Sequence, residues 1–319
     1  MRILFCGTPD YAVPSLQKLA ALAPRHEVVG VVSQPDKPKG RGSKTPTPPP
    51  VVNAARALGI PSDRIFQPKS INKPDVLNAL RALAPDILCV VAYGNILRKE
   101  ALELGRYFPI NAHASLLPKY RGAAPIQAAL LSGDAQTGVC VMKMEAGLDT
   151  GPVLLRRVIP IQPGDTAGTL HDALAVLSAD CFAEALELIA ADAYTLHPQD
   201  DKQASYAAKL EKSSGQIDWT SSAEAIERLI RAMTPWPGAW TRVASADGSF
   251  SQRIRIAQAS LAPSEMAISV KPSQTLLAAC GDGRDLLIST IQPEGKREMS
   301  VADFLRGAGK ALAGGIVWK

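Results

Sequence analysis

The chain has no apolar run close to the roughly 18 residues a membrane-spanning helix needs, so no membrane partner is expected of its 319 residues. Its start, Met1-Arg2-Ile3-Leu4-Phe5-Cys6-Gly7, lacks the long apolar core and cleavage site of a secretory signal. A cytoplasmic location is therefore expected. Five cysteines (Cys6, Cys89, Cys140, Cys181, Cys280) are scattered with no C-x-x-C pair. That excludes a disulfide frame or a zinc site and suits a reducing compartment. No G-x-G-x-x-G dinucleotide fingerprint is present. There are only four histidines, and the net charge is a modest +5. Such a balance permits a polyanionic partner without demanding one.

What is present reads as two domains. With 46% hydrophobic and 20% charged residues, a chain of this length can bury two cores. Up to about residue 195, apolar runs alternate with helical patterns. Ile3–Cys6, Val28–Val32 and Ile87–Val91 read as strands. Helices are expected from about Tyr11 to Leu22 and Lys73 to Leu83. Alternation of this kind implies βαβ units and a Rossmann-like parallel sheet, an α/β fold. Gly138–Met144 and Val153–Ile159 add strands, and Thr166–Ala191 is a long helix. The polar stretch 196–207, including HPQDDKQAS, is the linker candidate. From 208 to 319 composition shifts. Three of the four tryptophans fall within 22 residues, from Trp219 to Trp240. After a short helix, about Ser222–Met233, strand-like pieces recur at Ala239–Val243, Ile254–Ala259, Thr275–Ala279 and Leu286–Thr290. Turn signals separate them, as in a small β-barrel of oligonucleotide-binding (OB-like) type.

Two segments outside the strands carry possible ligand chemistry. Gly7-Thr8-Pro9-Asp10 joins a strand to a helix. It suits an ordinary tight βα turn better than a phosphate site. Residues 34–50, QPDKPKGRGSKTPTPPP, contain six prolines and two glycines, which argue against regular structure. Lys37, Lys39, Arg41 and Lys44 face one acid there, Asp36. The loop is either a solvated surface segment or one that orders on a phosphate backbone.

The richest stretch runs from Asn111 to Leu155. It contains no nucleophile motif and no metal-ligand cluster. Asn111 and His113, two apart on a strand end, project to one side. Asp149 lies in Ala146-Gly147-Leu148-Asp149-Thr150-Gly151, where glycines permit close approach. A carboxylate beside an imidazole orients it and supports its charge. An amide N–H can stabilise an oxyanion. Each residue alone is better explained structurally. Together, at a strand end and a Gly-rich loop of an open α/β sheet, they point to carbonyl chemistry.

The same residues, with Ser115-Leu116-Leu117-Pro118, Tyr120-Arg121-Gly122-Ala123-Ala124-Pro125-Ile126 and Gly147-Leu148-Asp149-Thr150-Gly151, resemble the signature of folate-dependent formyltransferases. Gly7-Thr8-Pro9, Val91-Ala92-Tyr93-Gly94, Ile217-Asp218-Trp219, Pro235-Trp236-Pro237-Gly238 and Gln292-Pro293-Glu294-Gly295-Lys296 extend the likeness over the whole chain. It closely resembles the methionyl-tRNA formyltransferase family. Asn95, Arg98-Lys99, Phe108-Pro109-Ile110 and Ala114 depart from the family's usual residues without touching Asn111, His113 or Asp149.

The resemblance implies a catalytic domain at 1–195, a linker at 196–207 and a tRNA-binding barrel at 208–319. The implied reaction carries a formyl group from 10-formyltetrahydrofolate to the α-amine of methionyl-initiator tRNA, with no metal. Asn111, His113 and Asp149 would be catalytic. Ser115, Leu116, Leu117 and Pro118 would line the folate pocket. Lys37, Lys39, Arg41 and Lys44 would hold tRNA phosphates, and a monomer is expected. Two alternatives are a formyltransferase for a small amine, such as a nucleotide-linked amino sugar or a purine precursor, and a noncatalytic RNA-binding protein. The basic loop and barrel argue against the first. The intact Asn111, His113 and Asp149 argue against the second.

Overall fold

The structure, a computed structural model, describes residues 1–38, 45–263, 276–312 and 316–318. The backbone forms two compact units. The first comprises Met1–Pro125, Gln136–Pro160 and His171–Ala207; the second comprises Ile126–Ala135, Ile161–Leu170 and Ala208–Lys319.

Seven strands build the sheet of the first unit. In chain order they are β1 (Arg2–Gly7), β2 (Glu27–Val32), β3 (Ile65–Phe66), β4 (Ile87–Val91), β5 (Ile110–His113), β6 (Gln136–Lys143) and β7 (Val153–Pro160). Across the sheet the order is β7-β6-β5-β4-β1-β2-β3. The first five run parallel. β6 is antiparallel to both β5 and β7, so the sheet is mixed. The chain between Lys143 and Val153 is too short for the crossover of about a dozen residues that parallel pairing requires. β4 is buried at every residue. Its unbroken apolar run is what a parallel strand covered on both faces needs.

Proline marks helix starts. Helices Val13–Ala20, Pro50–Ala57 and Pro74–Arg81 each place one in the first turn. There the missing N–H costs nothing and the fixed φ is already helical. The 34–50 loop therefore contains more regular structure than its composition suggests. Pro50 opens a helix, and Lys37–Pro38 pairs antiparallel with Pro46–Thr47. A two-residue edge ladder tolerates prolines because their missing donors face away. Lys39, Arg41 and Lys44 lie outside the described residues.

The carboxyl ends of the parallel strands are tied to one another. Thr8 Oγ1 and Gln34 Nε2 both donate to the Tyr93 carbonyl, at 2.9 and 3.1 Å. Gly7 serves packing at this corner: a Cβ there would stand 2.8 Å from the Ala12 methyl. That supports the tight-turn reading. β5 ends on the same edge, bringing His113 there.

The second unit has strands β8 (Ala239–Ser245), β9 (Ser251–Leu261), β10 (Leu276–Ala279), β11 (Asp285–Pro293) and β12 (Ile316–Trp318). They form an antiparallel sheet in the order β10-β11-β9-β8-β12, with Met299–Ser300 added on β11. The two edges meet where Trp318 Nε1 donates to the Leu277 carbonyl at 3.3 Å, leaving a nearly closed barrel. Trp219 packs against Trp318 with ring centroids 4.9 Å apart and bonds Thr241 Oγ1 through its indole N–H. Ser222 caps the adjoining helix, Ala223–Ala232, by accepting from Ala225 N–H.

Gly138 gives a test of this packing. It pairs with Val158 across β6 and β7, where an added Cβ would lie 2.0 Å from the Arg157 carbonyl oxygen and 2.7 Å from Leu116 Cδ2. Gly138→Ala should destabilise the first unit by about 1–3 kcal/mol through overpacking. Thermal or urea denaturation would show it; an unchanged midpoint would contradict the register.

Candidate active site

β5 pairs Asn111 with Met142 and His113 with Cys140 of β6. The two polar side chains thus share one face at the strand's carboxyl end. His113 is 6% exposed. Asn111 is half-buried, and its amide makes no hydrogen bond among the described residues. An uncommitted amide at this depth can donate to a substrate oxygen.

His113 lies between two partners. Its Nε2 is 2.9 Å from the Tyr120 carbonyl, and Nδ1 is 3.6 Å from Asp149 Oδ2. A carbonyl only accepts, so Nε2 carries the proton and donates. The tautomer is therefore set by the backbone at Tyr120, and Nδ1 is the nitrogen turned to the carboxylate. The 3.6 Å gap is longer than a hydrogen bond. Asp149 is anchored instead by the Gly122 N–H, which donates to Oδ2 at 2.8 Å.

The backbone here is unusual. Tyr120 and Asp149 hold φ of 62° and 54°, in the left-handed region. Non-glycine residues there carry strain that the surroundings must offset. The surroundings are a polar strap from the stretch expected as a linker. Arg121, 2% exposed, donates through Nε and Nη2 to Gln199 Oε1 at 3.1 and 2.9 Å. Gln199 Nε2 in turn donates to the carbonyls of Asp149 and Gly151, at 2.8 and 2.7 Å. Tyr120 N–H donates to Ser205 Oγ at 2.9 Å, and Arg121–Gly122 pairs with Tyr206–Ala207. Burial works against the Arg121 charge, but bonds to Asp201 and Tyr206 outweigh it and raise its pKa. The charge is thus retained inside the fold.

The other sequence-selected residues are placed as follows. Ser115 is fully buried and its hydroxyl donates to the Lys119 carbonyl at 2.6 Å, closing the turn. Leu116 packs toward Gly138. Leu117 and Pro118 help line a cleft of about 530 Å³, shared with Arg156, His197 and Gln199; Asn111, His113 and Asp149 do not line it. Lys37 is exposed and its ammonium bonds Gln34 Oε1 at 2.6 Å. Burial pushes the Cys140 thiol up and Cys6 up to about 12. Both stay protonated at neutral pH and are poor nucleophiles. No cluster of three or more metal-ligating side chains exists among the described residues.

The Tyr120 carbonyl, Arg121 and Gln199 were not assigned roles from sequence. Arg121 stands within a recognised motif, which is a signal of sorts. Gln199 is 78 residues away and carries none.

A fold of this kind, with amide, imidazole and carboxylate at the strand edge, matches a known family. The formyl transferase model covers residues 1–186, and the formyl transferase C-terminal domain covers 209–309. The chain belongs to the formyl transferase family. It is 42% identical to a methionyl-tRNA formyltransferase of Geotalea uraniireducens, over all of this chain and 98% of the relative. It is 45% identical to that of Jannaschia sp. (97% of each chain) and 46% to that of Xanthomonas axonopodis pv. citri (96% and 97%). Among solved structures it is similar in fold to WlaRD, a sugar 3N-formyl transferase, with TM-score 0.64 and 18% identity over 93% and 99% of the two chains. HypX from Aquifex aeolicus with tetrahydrofolic acid matches at TM-score 0.60 and 18% identity over 99% of this chain and 48% of that one.

Gln199→Leu tests the strap. It removes both donors to the 149–151 backbone and leaves Arg121 with one polar partner fewer. Leaving buried groups unsatisfied should cost about 1–3 kcal/mol each. Exchange of the Gly122 amide, now anchored on Asp149, should quicken. Parental exchange at Gly122 would show that Asp149 is held without Gln199.

Proposed function

We propose that the protein transfers the formyl group of 10-formyltetrahydrofolate to the α-amine of methionyl-initiator tRNA in the cytoplasm, as a translation-initiation enzyme. Residues 1–195 would carry the chemistry and 208–319 would bind the tRNA body, with 196–207 between. The observation that carries this reading is correspondence at 42–46% identity with methionyl-tRNA formyltransferases across both units. A sugar amine or a noncatalytic role has no comparable full-length support.

The residues present fit a formyl donor. The half-buried Asn111 amide has no hydrogen bond among the described residues, which suits a carbonyl oxygen that becomes negative. The folate supplies an activated formyl group; the chain's own groups do the rest. Asn111 holds the formyl oxygen as charge builds on it. The acceptor amine attacks as the neutral base, near its reference pKa of roughly 7.7–8.0. One C–N bond forms to this amine and one breaks to the donor nitrogen. The amine's surplus proton passes through the His113 Nδ1 and Asp149 pair to that nitrogen, so no proton is gained or lost. Nε2 stays bonded to Tyr120, which keeps the ring aligned while its charge rises. No covalent enzyme intermediate is required. Ser115–Pro118 would shape the donor pocket, with Ser115 acting through its turn. Lys37, Lys39, Arg41 and Lys44 would neutralise phosphates near the acceptor end.

Incubation with 10-formyltetrahydrofolate and charged initiator tRNA should give formylmethionyl-tRNA. Transfer to a nucleotide-linked amino sugar and none to tRNA would refute the reading. Asn111→Ala should lower kcat by about 100-fold or more, and His113→Ala should abolish turnover while tRNA binding persists. Joint replacement of Lys39, Arg41 and Lys44 by Ala should flatten the salt dependence of tRNA use by roughly one unit of slope for each phosphate no longer neutralised. An unaltered slope would remove the loop from recognition.

A further inference from the structure

The loop that brings Asp149 to His113 has little backbone bonding of its own. Residues 145–148 are exposed, and among the described residues the main chain of 145–151 makes only two hydrogen bonds. Both come from the side-chain amide of Gln199, whose Nε2 donates to the carbonyls of Asp149 and Gly151. The Gly122 N–H holds the Asp149 carboxylate but not the chain that carries it. Gln199 is itself set on a firm base. His197, two residues earlier, exchanges both main-chain bonds with Val153 of β7, at 2.8 and 2.9 Å.

The sense of the Gln199 amide is fixed by its neighbours. A guanidinium has donors only and a carbonyl accepts only. With Arg121 on one side and two carbonyls on the other, the amide has one workable orientation, oxygen to Arg121 and NH2 to the loop. Turned over, it would set its NH2 against the donors of a cation and its oxygen against two oxygens. Arg121 thus decides which way a neutral amide points. This gives the buried charge a use that stability does not, because apolar side chains of similar volume often stabilise a fold as well or better. The outer end of Arg121 closes on Asp201 at 2.7 Å, a carboxylate 82% exposed, so the cation is satisfied without drawing Gln199 from the loop.

We infer that Gln199 is a positioning residue of the formyl transfer: its amide, oriented by Arg121, holds the 149–151 backbone so that Asp149 faces His113 Nδ1. The inference rests on the proposed reaction, in which the surplus proton travels between that nitrogen and the carboxylate, 3.6 Å apart. Asp149, at φ 54°, has commoner conformations to fall into once the carbonyls on either side of Thr150 are let go. A misplacement of about 1 Å at a reacting group can cost roughly 100-fold in rate. Gln199 acts on the proton path and not on the hold on either substrate. Its loss should therefore appear in kcat and leave KM alone.

The test is Gln199→Glu in the full chain, assayed with 10-formyltetrahydrofolate and charged initiator tRNA in light and heavy water. The carboxylate has the same shape and still accepts from Arg121, so the buried cation keeps its partner. It offers only oxygen, however, where the two loop carbonyls need a donor. kcat should fall by about tenfold to 100-fold, with KM for both substrates at the parental value. The solvent deuterium isotope effect on kcat should rise, because proton passage between His113 and Asp149 becomes the slow step. A loss of folded protein would lower kcat without moving that isotope effect. If Q199E melts early, Q199A, which adds no charge, should show the same kcat loss and the same raised isotope effect. Parental kcat in a folded variant would overturn the inference, as would a lower kcat with an unchanged isotope effect or a matching rise in KM. A parent protein that formylates no charged tRNA would overturn the acceptor reading together with it, whereas parental transfer that survives Q199E and Q199A overturns this inference alone.

Discussion

The geometry of the candidate site hangs on the backbone of residues 120–122. The Tyr120 carbonyl fixes the His113 ring, the Gly122 N–H fixes the Asp149 carboxylate, and the Arg121 side chain fixes Gln199, which holds the Asp149 loop by two carbonyls. Three consecutive residues thus set imidazole, carboxylate and loop in one frame. Without that frame, left-handed Tyr120 and Asp149 would relax to commoner conformations. Gly122 cannot carry a side chain, since a Cβ would lie 2.7 Å from the Ala207 carbonyl oxygen. The strand pairing with Tyr206–Ala207 that closes the frame needs that bare position.

In the proposed reaction this arrangement divides labour between groups that would move charge and groups that hold still. His113 Nδ1 and Asp149 stand 3.6 Å apart without a hydrogen bond to each other. Tyr120, Gly122 and Gln199 are closely bonded and fix geometry. Burying Arg121 is costly, and a buried cation is tolerated only when fully satisfied. Gln199 and Asp201 provide that satisfaction, which makes the 196–207 stretch part of the site's support and not a passive tether.

Much of the fold was legible because burial leaves its mark on sequence. Strands such as Ile87–Val91 had to be apolar throughout, and the helices expected near 11–22 and 73–83 are present, each with a proline in its first turn. The mixed sheet was less legible: strand direction depends on the length of a connection, and only the Lys143–Val153 link shows it. The 34–50 segment misled by composition, since proline excludes sheet interiors but tolerates an edge ladder and a helix start. At the site, Asn111, His113 and Asp149 stood out as polar residues among small ones. Ser115 came only with the family resemblance, and its hydroxyl is spent on the Lys119 carbonyl inside a turn.

By itself the sequence determined the element order, the buried strands, the family likeness and the presence of an amide, an imidazole and a carboxylate suited to acyl chemistry. These are local or additive properties, written in residue type and period. Tertiary structure alone decided that Tyr120 sets the His113 tautomer and that Gln199 reaches across 78 residues to meet Arg121. Such facts depend on register and on which carbonyl lies within about 3 Å of which donor. A hydrogen bond is sensitive to distances far finer than any pattern of residue types can encode.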